Sequence, residues 1–302
     1  MSVPQKLPGP LFAVIAMVAL VACAPAELEA TGLSAVSANA GLDGIARTPN
    51  QSYGSLARQK LDIYKPLNTK EPRPVIVFTY GGGFKSGSKD QYGFVAEAFS
   101  SLGYVTVIYD YRLYPQVTWP VYIQDGALAV AWVSKEIGKY GGDPKRILIA
   151  GHSAGAYIAA MLAVNPEYLR AANVPDGTIK AALTFSGPYE FWNAKQQAHG
   201  GFIGQDIQEV MGAAETAAQT QPINYVSGNA PPFVIVHGNQ DDLLAVTQAK
   251  TMKAKLEAAK VPVTYLEYPM AHATTILAMA KPLRGLGGTF MDVRAALEKL
   301  GY

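Results

Sequence analysis

One short segment carries the residue types from which a serine nucleophile is built. The segment from Gly151 to Gly155 reads Gly-His-Ser-Ala-Gly, follows the apolar run 147–150 and precedes small and apolar residues that end at Asn165. The first run predicts a buried strand and the second a helix. Small residues allow a strained turn between them, and a helix N-terminus favours developing negative charge. The pattern therefore predicts a nucleophile elbow with Ser153 as the nucleophile.

A serine nucleophile needs a general base, and the chain offers 4 histidines. His152 adjoins the serine and should point away from its hydroxyl. His199 lies in a Gly-rich insert, and His237 ends a predicted strand, where it should fix a turn. His272 follows the last predicted strand, in a loop. A loop histidine is often only solvated, but elimination beside a serine elbow predicts His272 as the base.

The acid that orients the base should follow the preceding strand. Asp241 and Asp242 both lie just after the predicted strand 232–237. One of them should hold the imidazole, and the other should cap the next helix. Paired aspartates are also typical of a solvated turn, and Glu267, within a strand, is a weaker rival. These residues alone leave the choice between Asp241 and Asp242 open.

Backbone N–H groups must also be available to stabilise the oxyanion of the tetrahedral intermediate. Ala154 directly follows the serine, and the glycine run 81–83 lets the backbone approach a ligand closely. A phosphate-binding loop is excluded because Ser88 stands where such a loop needs lysine. The sequence holds no His-Glu-x-x-His and no paired cysteines, so we expect catalysis without a metal or cofactor.

The composition suits one large domain. With 302 residues, 49% hydrophobic and 16% charged, the chain can bury a substantial core. Strands alternate with helices, which predicts an α/β fold with a mostly parallel sheet covered on both faces. The predicted strands lie at 59–66, 75–80, 104–109, 147–150, 179–186, 232–237 and 263–268. A net charge of +2 without a dense basic block indicates no nucleic-acid partner.

The N-terminal residues 1–22 are typical of a signal peptide of the lipoprotein type. The apolar run 11–22 is too short to span a bilayer. It ends in Leu-Val-Ala-Cys at Cys23, which is similar to the lipobox of bacterial lipoproteins and is the 1 cysteine of the chain. Ordinary cleavage near Ala24 and an uncleaved anchor are the alternatives. We expect lipidation of Cys23, a lipid-anchored place in the cell envelope, a tether at 23–55 and the domain at 56–302.

Several segments together resemble α/β-hydrolases of the carboxylesterase and lipase group related to hormone-sensitive lipase. The chain is similar especially to the bacterial esterase-like branch of this group, which also resembles feruloyl esterases and kynurenine formamidases. Besides the elbow, the matching segments are 80–84 with Gly87, 110–115, 140–144 and 237–241. The resemblance covers roughly residues 59–300 and implies the α/β-hydrolase fold. It also implies that Asp110 and Arg112 brace the loop beneath the site.

The resemblance implies a role for each candidate residue. Ser153 matches the nucleophile and His272 the base. Asp241, rather than Asp242, matches the acid, because the family pattern is His-Gly, two variable residues and then Asp.

The oxyanion hole is implied in the same way. Gly82 and Gly83 match the oxyanion glycines, with Ala154 as a third donor. Tyr80 stands where the family usually has histidine. That histidine orients the glycine loop through hydrogen bonds, which a phenol can also make.

The expected function is hydrolysis of a small-molecule carboxylic ester through an acyl-enzyme intermediate. Amide or formamide hydrolysis uses the same triad, and a catalytically silent, membrane-displayed binding protein is the remaining alternative. An insert at about 188–231 is expected to form a small cap over the pocket, or else to bury its own helices. Its aromatic and apolar residues are Tyr189, Phe191, Trp192, Phe202 and Ile203.

Overall fold

The computed structural model describes residues 26–191, 206–212, 217–285 and 287–302. The predicted leader, Cys23, His199 and the insert residues Trp192, Phe202 and Ile203 lie outside these ranges. Within them, no helix combines the length and the apolar character needed to cross a bilayer.

The described strands form a single eight-stranded sheet. Their bounds are β1 Ile45–Ser52, β2 Lys60–Pro66, β3 Arg73–Thr79, β4 Val105–Tyr109, β5 Gly142–His152, β6 Ile179–Phe185, β7 Phe233–Gly238 and β8 Val263–Tyr268. The order across the sheet is β1-β2-β4-β3-β5-β6-β7-β8. The pairs β1–β2 and β2–β4 are antiparallel, and every other neighbouring pair is parallel. The predicted α/β class with a mostly parallel sheet is confirmed.

Helices connect these strands. Their bounds are α1 Ala26–Ala38, α2 Gly93–Ser101, α3 Val121–Glu136, α4 Ala154–Val164, α5 Glu167–Ala171, α6 Asp206–Met211, α7 Ala217–Thr220, α8 Thr247–Ala258, α9 Thr274–Leu277 and α10 Thr289–Lys299. Strands β4 and β7 are buried along their whole length, as continuous apolar runs in a covered parallel sheet should be. Helix α4 is likewise buried at every position, which matches its unbroken run of small and apolar residues.

The segment 23–55, predicted as a tether, contains folded structure instead. It holds helix α1 and strand β1, and β1 adds an antiparallel edge strand to β2. Leu33 and Val36 of α1 are buried in the core, and the Ser37 hydroxyl accepts a hydrogen bond from the Gly93 backbone N–H at 2.7 Å. The folded domain therefore begins before residue 56. The small residues and scattered leucines of segment 23–55 give only a weak periodic signal in the sequence. Helix α1 is instead stabilised by its packing against the start of α2.

Gly155 sets how closely α4 packs on the sheet. A Cβ at this position would lie 2.0 Å from the Thr79 carbonyl oxygen, whereas one at Gly138 would meet nothing within 4 Å. We expect Gly155→Ala to lower the free energy of unfolding by about 3 kcal/mol, because backbone must move to admit the methyl group. Gly138→Ala, the control, should change it by less than about 1 kcal/mol. Urea unfolding followed by circular dichroism measures both, and equal stabilities would contradict the close approach.

Candidate active site

The nucleophile elbow lies where β5 turns into α4. Ser153 has φ 54° and ψ −122°, a conformation that a residue with a side chain adopts only under local strain. Its backbone N–H donates to the Phe185 carbonyl at 2.9 Å, which ties the turn to β6. A Cβ at Gly151 would lie 2.3 Å from the Gly155 carbonyl oxygen, so the turn requires glycine there. The strand-turn-helix context of Ser153 agrees with the sequence pattern.

Three predicted site residues from distant parts of the chain meet at this turn. The His272 Nε2 atom lies 2.8 Å from the Ser153 Oγ, and the His272 Nδ1 atom lies 2.8 Å from the Asp241 Oδ2. A carboxylate only accepts, so Nδ1 carries a proton and the neutral ring presents Nε2 as an acceptor to the serine hydroxyl. All three side chains are nearly buried, with Ser153 9% exposed. This arrangement allows the imidazole to take the proton of the hydroxyl.

Asp241 is held from both of its oxygens. Its Oδ1 accepts the backbone N–H groups of Leu243 at 3.0 Å and Leu244 at 2.8 Å. Its Oδ2 faces His237 Nε2 at 3.3 Å as well as His272. Burial favours the neutral carboxyl, but the neighbouring His272 and hydrogen bonds from both histidines outweigh it and hold the pKa of Asp241 well below its ordinary value. Asp241 therefore stays an anion beside His272.

Asp242 takes neither role that was open to it. Its side chain is exposed, while the neighbouring Asp241 is buried. Helix α8 begins at Thr247 with Val246 at its N-cap, so the expectation that the second aspartate caps this helix is wrong. Asp241 itself binds the N–H groups of the turn in addition to the imidazole. Asp241 thus serves both the imidazole and the turn, and among the described residues no side chain caps α8.

His237 makes a contact that the sequence did not indicate. As expected it fixes a turn, since its Nε2 lies 3.0 Å from the Leu244 carbonyl oxygen. The same nitrogen also faces the Asp241 carboxylate at 3.3 Å, so this carboxylate has a second imidazole beside it. Its Nδ1 is buried without a hydrogen-bond partner in the part of the chain that the structure describes. The sequence signal for this contact was that His237 is the histidine of the family pattern His-Gly, two variable residues and then Asp.

His152 points away from the serine hydroxyl, as expected. Its Nδ1 lies 3.1 Å from the Tyr92 hydroxyl, and its Nε2 lies 3.4 Å from the His272 carbonyl oxygen. The ring is fully buried. Burial, reinforced by the neighbouring His272, lowers the pKa of His152 to about 3. His152 is therefore neutral near pH 7.

The neutral state of His152 makes a testable contribution to stability. In the unfolded chain this residue binds a proton near its ordinary pKa of about 6.5, but in the folded chain only near a pKa of about 3. The unfolded state binds more protons between these values, so this stability is complete above about pH 6.5 and is lost as the pH falls. As the pH is lowered, the free energy of unfolding should therefore fall in both proteins, but in wild type by about 1.4 kcal/mol per pH unit more than in His152→Gln. Equal slopes in urea unfolding between pH 6 and 4 would contradict this.

The glycine loop after β3 passes close to Ser153. A Cβ at Gly81 would lie 3.0 Å from the Ser153 Cβ. Gly82 has φ 117° and Gly83 has φ 59°, and a Cβ at Gly82 would lie 2.3 Å from the Ser86 carbonyl oxygen. These positions therefore require glycine for their conformation. Ala154, the remaining predicted donor, is the first residue of α4.

Tyr80 holds the glycine loop from behind. Its hydroxyl accepts a hydrogen bond from Arg58 Nη2 at 2.7 Å, and its carbonyl oxygen accepts one from the Tyr111 hydroxyl at 3.2 Å. Its ring stacks on Tyr111 with centroids 4.7 Å apart. A Cβ at Gly87 would lie 2.8 Å from this ring, which explains the glycine there. The Tyr80 phenol is thus tied to Arg58, and the Tyr111 hydroxyl holds the main chain where the glycine loop begins.

The two residues implied as braces bind other parts of the fold. Arg112 makes a bidentate ion pair with the fully buried Asp125 of α3, with nitrogen–oxygen distances of 2.7 and 2.8 Å. Asp110 accepts the Lys89 backbone N–H at 2.8 Å. Burial raises the pKa of Asp110 above its ordinary value. Both contacts hold the loop after β4 to its neighbours.

The described aromatic residues of the insert fill the core. Tyr189 and Phe191 are fully buried, and the Tyr189 hydroxyl donates to the Thr184 hydroxyl at 2.8 Å. Helix α6 is tied to the glycine loop by an exposed ion pair between Glu209 and Lys85 at 2.8 Å. For Tyr189 and Phe191, the packing role is therefore the one observed.

Known proteins similar to this chain are esterases. It is 32% identical to the probable carboxylic ester hydrolase LipM of Mycobacterium tuberculosis over 244 residues, and 32% identical to the esterase LipC of the same organism over 236 residues. These alignments cover 76% and 72% of this chain. The chain spans 57% of the length of either relative.

The fold is similar to that of solved esterases. The crystal structure of esterase B from Lactobacillus rhamnosis aligns with a TM-score of 0.73 at 20% identity, covering 95% of this chain and 98% of that one. This likeness shows the α/β-hydrolase fold that the sequence predicted. The model of the BD-FAE family matches residues 61–256, well over half of the chain. The elbow, the glycine loop and the acid loop all lie in that span, and the chain belongs to the BD-FAE family.

Proposed function

We propose that the protein is a carboxylic ester hydrolase in which Ser153 is the nucleophile, His272 the general base and Asp241 the acid that orients it. The observation that carries the proposal is the continuous hydrogen-bonded line from Asp241 to Ser153, with two links of 2.8 Å each. The esterase names of the relatives LipM and LipC support the ester as substrate.

The first half of the reaction forms an ester on the serine. His272 Nε2 takes the proton as the Ser153 oxygen attacks the carbonyl carbon, and Asp241 stabilises the resulting imidazolium. Collapse of the tetrahedral intermediate breaks the bond to the alkoxy group, which leaves as an alcohol with the proton that His272 returns. In the second half a water molecule gives its proton to His272 and attacks the acyl-serine. The carboxylic acid leaves and the serine recovers its proton.

The proposed oxyanion donors are the backbone N–H groups of Gly82, Gly83 and Ala154. Among the turn and loop hydrogen bonds of the described chain, none is donated by these groups to a backbone carbonyl, which supports their role as donors to a ligand. Ala154 begins α4, whose N-terminal end favours negative charge. Donors fixed before the reaction stabilise the oxyanion without reorganisation, and each is worth about 10²-fold to 10³-fold in kcat in comparable enzymes.

Ester and amide hydrolysis are separated by a direct comparison. The purified protein is assayed with p-nitrophenyl butyrate, the matched butyryl p-nitroanilide and an N-formyl aniline. Both chromogenic substrates carry the same acyl group and differ in the leaving atom, so the ratio of kcat/KM reports the preference. We expect the ester to be cleaved much faster. Cleavage of an amide without cleavage of any ester would contradict the proposal, and cleavage of none would favour a silent binding protein.

We also propose that Cys23 is lipidated and anchors the protein in the cell envelope. The support is the lipobox-like Leu-Val-Ala-Cys sequence at the end of an apolar leader. More than one acyl chain gives stable membrane attachment. Cys23→Ser expressed in a bacterial host should therefore move the protein from the membrane fraction to the soluble fraction and abolish labelling by an alkyne fatty acid. Unchanged fractionation and labelling would contradict the anchor.

A further inference from the structure

Tyr92 lies between the glycine loop and the residue that precedes the nucleophile. Its hydroxyl oxygen is 3.3 Å from the Gly81 backbone nitrogen and 3.1 Å from His152 Nδ1. The other ring nitrogen of His152 is 3.4 Å from the His272 carbonyl oxygen. A chain of hydrogen bonds therefore joins the loop of the oxyanion donors to the main chain of the base.

The positions of the protons in this chain follow from its two ends. The His272 carbonyl can only accept, so His152 Nε2 carries a proton and donates to it. A fully buried imidazole is neutral, which leaves Nδ1 as an acceptor. The Tyr92 hydroxyl must then donate to Nδ1, and its oxygen accepts the N–H of Gly81. Each group has one compatible role, so the chain has a single direction.

Packing fixes the two rings. Tyr92 is 1% exposed and lies against Phe78 and Phe94, with centroids 5.4 and 5.7 Å away. A Cβ at Gly81 would lie 3.0 Å from His152 Nδ1, so the loop leaves no room for a side chain between it and the imidazole. A displacement of either ring would therefore move the glycine loop.

The far end of the chain is anchored as well. The His272 carbonyl oxygen also accepts hydrogen bonds from the hydroxyls of Ser186 at 3.2 Å and Thr275 at 3.0 Å. The main chain of the base is thus held from the sheet, from α9 and from His152. Tyr92 and His152 connect this fixed point to the loop on the other side of the serine.

We propose that Tyr92 and His152 are positioning residues that hold the oxyanion loop and the base in register about Ser153. The inference rests on the proposed function. Oxyanion donors act only when they lie about 2.7–3.1 Å from the developing oxyanion, and shifts of about 0.5 Å weaken such sites. The Tyr92 hydroxyl sets the position of Gly81, the neighbour of the proposed donors. Its contribution should therefore appear in the chemical step rather than in substrate binding.

The experiment compares Tyr92→Phe, His152→Gln and the double variant with wild type on p-nitrophenyl butyrate. Tyr92→Phe keeps the ring and removes the hydroxyl, and His152→Gln removes the acceptor of that hydroxyl. We expect each single change to lower kcat by about tenfold to a hundredfold, with KM within about threefold. Because the two residues act through one hydrogen-bonded chain, the kcat of the double variant should be about as low as that of the less active single variant. Folding is checked by thermal unfolding.

Tyr109→Phe is the matched control, since Tyr109 is also fully buried and its hydroxyl accepts a hydrogen bond from Thr79 at 2.7 Å. Its kcat should stay within about twofold of wild type. A Tyr92→Phe kcat within twofold of wild type, or effects in the double variant that multiply, would overturn the inference while leaving the hydrolase intact. A wild-type protein that neither turns over nor reacts with a fluorophosphonate would overturn the proposed function, and this inference with it.

A second measurement is made on the wild-type protein itself. The variant His152→Gln serves only to assign the signals. Nitrogen-15 spectra of histidine-labelled protein at pH 7 should show His152 as the Nε2–H tautomer, with its signals identified by their loss in His152→Gln. This tautomer is required if Tyr92 donates to Nδ1. An Nδ1–H tautomer or a charged ring would overturn the direction of the chain.

Discussion

Ser153→Ala is expected to lower kcat/KM for p-nitrophenyl butyrate by about 10⁴ or more, as in other serine hydrolases that lose the nucleophile. The reason is geometric, because the Oγ atom is the group held 2.8 Å from His272 Nε2 on the strained elbow. Alanine keeps the backbone and the small size that the turn requires. The loss should appear in kcat, measured by release of nitrophenolate, with the fold intact.

The matched control is Ser134→Ala. The Ser134 hydroxyl donates to the Ala131 carbonyl within helix α3, remote in sequence from every predicted site residue. Its kcat/KM should equal that of wild type within about twofold. A Ser153→Ala variant that retains activity within tenfold of wild type would show that another group is the nucleophile.

Asp241→Asn is expected to lower kcat by about 10³-fold to 10⁴-fold. The amide presents a donor or a weaker acceptor to His272 Nδ1, so the imidazole no longer keeps its proton on that nitrogen. The Nε2 atom then cannot accept the proton of the Ser153 hydroxyl. Removal of the carboxylate also leaves the imidazolium formed during the reaction without its counter-charge, in a site where Asp241 is held as an anion.

Asp242→Asn is the matched control one residue away. Its side chain is exposed and lies outside the line from Asp241 to Ser153, so kcat should change by less than about twofold. The two variants are compared under single-turnover conditions, which report the chemical step. A larger loss in Asp242→Asn than in Asp241→Asn would mean that the acid has been assigned to the wrong residue.

Local patterns in the sequence predicted seven of the strands, six of them with bounds within two residues of those observed, whereas β5 begins at Gly142 rather than at the predicted 147. Continuous apolar runs such as Val75–Phe78 carry a strong signal because a parallel sheet buries both faces of its strands. Strand β1 and helix α1 were not predicted. Strand β1 is mostly exposed or half-buried and lacks an alternating apolar pattern, so its pairing with β2 determines its structure.

The residues of the candidate site were likewise only partly predictable from the sequence. Ser153 is recognisable from a contiguous motif, and His272 followed by elimination, because the chain has 4 histidines. The choice of Asp241 over Asp242 needed a resemblance to a family. The hydrogen bond between Tyr92 and His152 joins residues 60 positions apart, and no local pattern encodes it. Contacts of this kind depend on how β3, β5 and the segment before α2 pack together.

Identification of the nucleophile is tested most directly by chemical labelling. The wild-type protein is treated with a fluorophosphonate probe, and the adduct is located by mass spectrometry of its peptides. We expect one adduct per chain on Ser153, with complete loss of hydrolysis, and no adduct in Ser153→Ala. Esterase activity that persists in a protein without label at Ser153, or an adduct on a different residue, would contradict the account.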